Sequence, residues 1–142
     1  MRIMAVDYGD ARTGLAVCDK FEMLASPLCV INQVNQKLLI QEILEISKKE
    51  GVELIVVGYP KNMDSSIGVR AEKSIRLAKS LELATGIKVE LWDERLTTVS
   101  AHHAMNDNNI RGKKRKKIID AVAAMIILQD YISFRKQAGN SN

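Results

Sequence analysis

Three carboxylates stand in unusual company. Asp7 follows the apolar run Ile3-Met4-Ala5-Val6 directly. A carboxylate at the exit of a buried strand needs a partner, a bound cation or a raised pKa. Glu94 lies in Trp92-Asp93-Glu94-Arg95-Leu96-Thr97-Thr98, again just past an apolar stretch. Asp120 sits among Ile118, Ile119, Ala121, Val122, Ala123 and Ala124. Small side chains on its own helical face leave space for an ion. Acidic oxygens brought together from distant points in a chain suit Mg²⁺ or Mn²⁺. A pair of such ions, about 3.5–4 Å apart, can activate a water and stabilise a leaving oxygen in phosphodiester hydrolysis. Each acid has a plainer reading. Asp7 caps the following turn, Glu94 belongs to a charged strand-to-helix turn, and Asp120 pairs with Lys116 or Lys117 at helical spacing.

Beside Asp120 lies Arg111-Gly112-Lys113-Lys114-Arg115-Lys116-Lys117, with six positive charges. Such a block can be a solvated segment. Next to an acidic cluster it better fits contact with a phosphate backbone. Aromatic residues make up only 4% of the chain, so no stacking platform for reading bases is evident. The net charge of +4 alone says little about partners. His102 and His103 are adjacent and far from any cysteine pair, so no zinc spacing is present. Cys18 and Cys29 read as reduced core thiols, with a disulfide between neighbouring strands as the alternative.

Elements that could position these groups follow from hydrophobic periodicity. Arg2 to Asp7, Thr13 to Cys18 and Met23 to Ile31 read as three strands of an antiparallel meander. Pro27 puts the third at an edge or a bulge. Leu39, Ile40, Ile43, Leu44 and Ile46 mark a helix that Gly51 stops. Leu54 to Val57 is apolar throughout, as in a central parallel strand, and Gly58 and Pro60 close it. Ile67, Ala71, Ile75, Ala78 and Leu81 predict one face of a second helix, ended by Gly86. Val89 to Trp92 reads as a fifth strand, also central. Thr97 or Thr98 could cap a third helix running to about Asn106. A polar basic segment from Asn106 to Lys117 precedes a final helix, about Lys116 to Arg135, apolar over much of its circumference. Gln137 to Asn142 reads as a frayed tail.

The pattern predicts an α/β fold in one domain over residues 1–142: a mixed five-stranded sheet, meander plus parallel strands, flanked by helices. With 142 residues it can bury roughly 68–70% of its unfolded surface without staples. No run of about 18 apolar residues is present and no signal peptide is visible, which points to the cytoplasm and no membrane partner. Monomer and homodimer are equally open.

Four blocks resemble the YqgF (RuvX) family, in family order and over nearly the whole chain. They are Asp7 to Ala16, Gly58 to Asp64, Asp93 to Thr98, and Lys113 to Lys117 with Asp120 to Ala124 and Ile127 to Gln129. The resemblance implies an RNase H-like fold and a bacterial cytoplasmic nuclease. That family was first likened to Holliday junction resolvases and is associated with maturing the 5′ end of pre-16S ribosomal RNA. It carries the acidic site onto Asp7, Glu94 and Asp120, as metal ligands and catalytic residues. It places Arg12, Asn62, Arg70 and Arg95 at substrate-facing positions, joined by Lys113, Lys114, Arg115, Lys116 and Lys117. Lys61 and Ser65-Ser66 depart from the family pattern in the second block.

The expected activity is metal-dependent phosphodiester hydrolysis on structured nucleic acid, with RNA favoured over DNA junctions. A nucleic-acid-binding assembly or transcription factor without catalysis is the alternative from another class. An actin-like phosphotransferase, which also uses an Asp-x-Gly hairpin, needs two domains around its nucleotide, and this chain has room for one.

Overall fold

A computed structural model describes residues 1–60, 67–94 and 112–140; for 112–120 and 139–140 it is the helical backbone that is described. The described elements are β1 (Ile3–Asp7), β2 (Arg12–Cys18), β3 (Ala25–Asn32), α1 (Gln36–Glu50), β4 (Leu54–Tyr59), α2 (Val69–Thr85), β5 (Lys88–Asp93) and α3 (Gly112–Asn140). The helix expected from Thr97 or Thr98 lies outside the described residues.

The strands form one sheet in the order β3-β2-β1-β4-β5. β1, β2 and β3 pair antiparallel as the expected meander, and β4 runs parallel to β1 and β5. Leu54 to Val57 are fully enclosed, which is why that run has no polar alternation. Pro27 sits on the edge strand β3, where the β2–β3 register shifts between Leu15 and Ala16. β3 begins at Ala25 rather than Met23. The Asp19 carboxylate accepts the backbone N–H groups of Met23 and Leu24, at 2.8 and 3.0 Å, and so holds both in the turn. β5 corrects a second expectation: it is an edge of the described sheet, not a central strand. Trp92 is its one fully buried residue, and Leu91 faces outward.

Alternation along the strands separates two cores. Met4, Val6, Leu15, Val17, Ile55 and Val57 face α1 and α2, through Leu39 and Ile43 of α1 and Leu77, Ala78 and Leu81 of α2. Asn35 caps α1 by accepting the Leu38 N–H at 3.1 Å, and α1 and α2 stop at Gly51 and Gly86 as expected. The buried face of α2 is Ala71, Ser74, Leu77, Ala78 and Leu81. It is rotated from the predicted one: Ile67 precedes the helix and is exposed, and Ile75 is half-buried.

On the other face, Ile3, Ala5, Leu54, Val56 and Trp92 pack against Ala124, Ile127, Leu128, Tyr131 and Ile132 of α3. Trp92 meets Tyr131 and Phe134 edge-on, with ring centroids 5.9 and 5.7 Å away. The Tyr131 hydroxyl donates to the Glu90 carboxylate. Burial first, then that bond, pushes the phenol up to about 12. α3 starts earlier than predicted and ends later. The lysine-rich block is helical from Gly112, and the expected tail is helical through Asn140. The block has good helix formers but no apolar period of its own, so its start was not marked.

Near its carboxyl end, α3 is clasped to the foot of the sheet. Arg135 Nε donates to Glu22 at 2.8 Å, and the N-terminal ammonium lies 3.4 Å from the same carboxylate. Burial pushes Glu22 up, but these two cations outweigh it and leave the carboxyl below its usual range. Cys18 and Cys29 are free thiols, as expected. Among the described residues no helix is long and apolar enough to cross a membrane.

Candidate active site

Register decides where the acids point. Val6 lies opposite Val57, so Asp7 and Gly58 come level at the carboxyl ends of β1 and β4. Gly58 pairs with Trp92, which puts Glu94 just beyond the same end of the sheet. Ile3 and Ala5 face α3, as do Leu54 and Val56, and Trp92. Two residues further along each strand, alternation brings Asp7, Gly58 and Glu94 to that same face. Asp7 and Glu94 are both half-buried.

Gly58 leaves no room for a side chain beside Glu94. In the sequence it closes the apolar run and opens the second family-like block; in the fold β4 continues through it to Tyr59. A Cβ there would lie 2.8 Å from Ile127 Cδ1, 3.2 Å from Glu94 Cγ and 3.3 Å from Glu94 Cδ. The Glu94 side chain therefore rests on bare backbone, between β4 and α3. Burial raises its carboxyl pKa, the Arg70 guanidinium pulls it back down, and Asp93 pushes it up again. Among the described residues, one cation and one anion act on this desolvated carboxyl.

Arg70 is exposed in the first turn of α2. With Arg12, Gly9, Asp10 and Ala11 it lines a pocket of ≈170 Å³ at the β1–β2 turn. That turn requires a glycine, because a Cβ on Gly9 would stand 2.3 Å from the Arg12 carbonyl oxygen. Lys73, one turn along α2, pairs with Asp10 at 3.3 Å.

The remaining expected site residues come from α3 and from outside the description. Tyr131 reaches Glu90 near the start of β5, and Arg135 reaches Glu22 near the start of β1. The helix therefore descends toward the amino ends of the strands, and its own amino end lies toward Asp7 and Glu94. Position 120 falls one turn before the buried Ala124, and Lys113 to Lys117 lie one to two turns further out. Asn62 and Arg95 lie outside the described residues. The structure thus brings Asp7, Glu94, Arg70 and Arg12 to one end of the sheet and directs α3 to it. Among the described residues no group of three or more acidic, histidine or cysteine side chains is gathered closely enough to hold a metal; the Asp120 side chain is not among them.

Two carboxylates on one face, one of them desolvated against a glycine, fit a hard divalent cation. They also fit the family whose pattern the chain matches. Residues 1–133 match the family described as RuvX: Holliday junction resolvase. The chain belongs to the RuvX family. Membership places it among nucleases. A Clostridioides difficile relative named "Putative pre-16S rRNA nuclease" is 42% identical over 134 residues, 94% of this chain and 95% of that one. A Halothermothrix orenii relative of the same name is 43% identical, over 96% and 98% of the two chains. The RuvX chain also resembles solved resolvases. Thermus thermophilus RuvC, in complex with a Holliday junction substrate, superposes with a TM-score of 0.61 at 14% identity, over 94% of this chain and 96% of that one. A fowlpox virus Holliday junction resolvase gives 0.54 at 15% identity, over 94% and 99%. At such low identity the likeness is one of fold, and the fold is the RNase H-like one.

Proposed function

We propose that this chain is a divalent-metal-dependent nuclease of structured RNA, a single domain over residues 1–142 that trims the 5′ end of pre-16S rRNA in the cytoplasm during ribosome biogenesis. The observation that carries the reading is the meeting of Asp7 and Glu94 on one face at one end of the sheet, where the backbone of α3 also leads position 120. The curated relatives' name supports the choice of RNA.

Asp7, Glu94 and Asp120 would hold Mg²⁺ or Mn²⁺. Bound there, a pair of ions supplies an activated water and a stabilised leaving oxygen. The chain's own groups do the rest. Gly58 leaves room for the Glu94 carboxyl. Arg70 and Arg12 present guanidinium forks to phosphate oxygens. Asn62, Arg95 and Lys113 to Lys117 add backbone contacts that position the polymer without reading its sequence.

Cleavage of precursor rRNA with Mg²⁺ or Mn²⁺ tests this, wild type against Asp7→Asn. The wild type is expected to cut near the mature 5′ end, and Asp7→Asn to be inert. Equal activity in the two sinks the assignment. A DNA four-way junction runs in parallel, and faster cutting of the junction overturns the choice of polymer. RNA binding with no cutting by either protein favours an assembly factor instead.

A further inference from the structure

The turn between β2 and β3 stands at the foot of the sheet, at the end opposite Asp7. It shows three large apolar side chains within four residues: Phe21, Met23 and Leu24 are 78%, 65% and 66% exposed. An apolar cluster of this kind with a polar rim marks a contact surface. Its shape is fixed. The Asp19 carboxylate holds the Met23 and Leu24 N–H groups, and Arg135 holds Glu22. Glu22 adopts a φ of 55°, and among the described residues it is the one non-glycine residue with positive φ. Backbone strain of that kind persists where the surroundings enforce it, and it gathers at functional surfaces. Beside the tip lies a groove of ≈370 Å³, lined by Arg2, Val17, Cys18, Asp19, Leu24 and Ser26. A cavity of about 150 Å³ already admits benzene, so the groove has room for a phenyl ring.

We propose that this foot is the interface of a homodimer, in which Phe21 of each chain seats in the groove of a second copy. A knob and a recess on one surface are self-complementary, so a twofold axis close to Leu24 closes the pair. The charges favour that occupant. Lys20 is exposed and precedes Phe21, while Asp19 lines the groove. Seating the ring therefore carries Lys20 of one chain toward Asp19 of the other, twice in the pair. A polyanion or an anionic membrane would meet Asp19 and Glu22 together with Lys20, and gains less from the same surface. The tip is already ordered, so little chain entropy opposes association. The patch is small, and the dimer is correspondingly weak, with a dissociation constant of about 10–100 µM. Pairing through the foot leaves the two acidic ends facing apart and open. The interface does not depend on the nuclease reading.

Sedimentation velocity on the full chain, from about tenfold below to tenfold above that constant, is expected to show the mass rising from one chain to two. Phe21→Asp is expected to weaken association roughly tenfold or more, as for a buried aromatic anchor. Lys20→Glu is expected to weaken it about two- to fivefold, as for an exposed ion pair. Both positions are exposed, so the thermal midpoint of dilute protein stays in place, and a melt checks this. Photoreactive p-benzoylphenylalanine in place of Phe21 locates the seat. In a mixture of isotope-labelled and unlabelled chains, its crosslinks are expected to join two chains and to fall on Val17, Leu24 or Ser26. A mass of one chain at every concentration overturns the proposal. Capture of that monomer by phosphatidylglycerol vesicles would assign the tip to a lipid surface instead. A dimer that Phe21→Asp leaves intact also overturns it, as do crosslinks within one chain or away from the groove.

Discussion

Glu94→Gln is expected to make the metal-free protein more stable at neutral pH while abolishing cleavage. Burial raises the Glu94 carboxyl, and Asp93 adds to this, against the smaller total pull of Arg70. The folded chain therefore holds that proton more tightly than the unfolded chain does. Below the ordinary value of 4.5 both states are protonated and the contribution to stability is full. As pH rises through the elevated folded value, that contribution is lost, because the folded state must carry a poorly solvated charge. Glutamine carries none. The gain is read as a higher Tm for the variant at pH 7–8. It should vanish near pH 4. Divalent cation reverses the order, since binding to the native state stabilises wild type and not the variant. Thermal melts at pH 4 and pH 8, with and without Mg²⁺, check each part. A lower Tm for Glu94→Gln at pH 8 without metal contradicts this account of the site's electrostatics.

Gly58→Ala is expected to lower kcat on RNA about 100-fold with little change in RNA affinity, because a displacement of about 1 Å at a reacting group has consequences of that size. The added methyl collides with Ile127 Cδ1 at 2.8 Å and crowds the Glu94 carboxyl at 3.3 Å. Ile127 is buried, so displacing its terminal methyl disturbs the packing around it, and overpacking should also cost about 1–3 kcal/mol. The two effects separate in a double variant. Ile127→Val deletes the Cδ1 atom, so Gly58→Ala with Ile127→Val should regain most of the stability. It should regain little activity, because the clash with Glu94 remains. Recovery of full activity in the double variant means that Gly58 serves packing only.

Much of this site could be read in the sequence because strand ends announce themselves. Asp7 ends an unbroken apolar strand, and β4 is apolar on both faces, so both were placed correctly. The convergence of Asp7 with Glu94 was harder. It depends on the β1–β4–β5 register and on which face α3 covers, and neither is local. Gly58 was hidden for the same reason. Its requirement comes from Ile127 and Glu94, both more than thirty residues away. β5 looked central because Val89, Leu91 and Trp92 are apolar, but no further strand covers it in the described sheet. The face of α2 was misjudged by one step because Ser74, a polar residue, is buried on it. The Asp10–Lys73 pair joins a turn to a helix 63 residues away, and no spacing rule could have shown it.

We propose that the carboxylates of Asp7, Glu94 and Asp120 act together as a metal site. Calorimetric titration with Mn²⁺ tests it most directly, on wild type, Asp7→Asn, Glu94→Gln and Asp120→Asn. Saturable binding to the wild type, lost or greatly weakened in all three variants, is the expected result. Wild-type protein that takes up no Mn²⁺, or variants that bind it as tightly as the wild type, would contradict it.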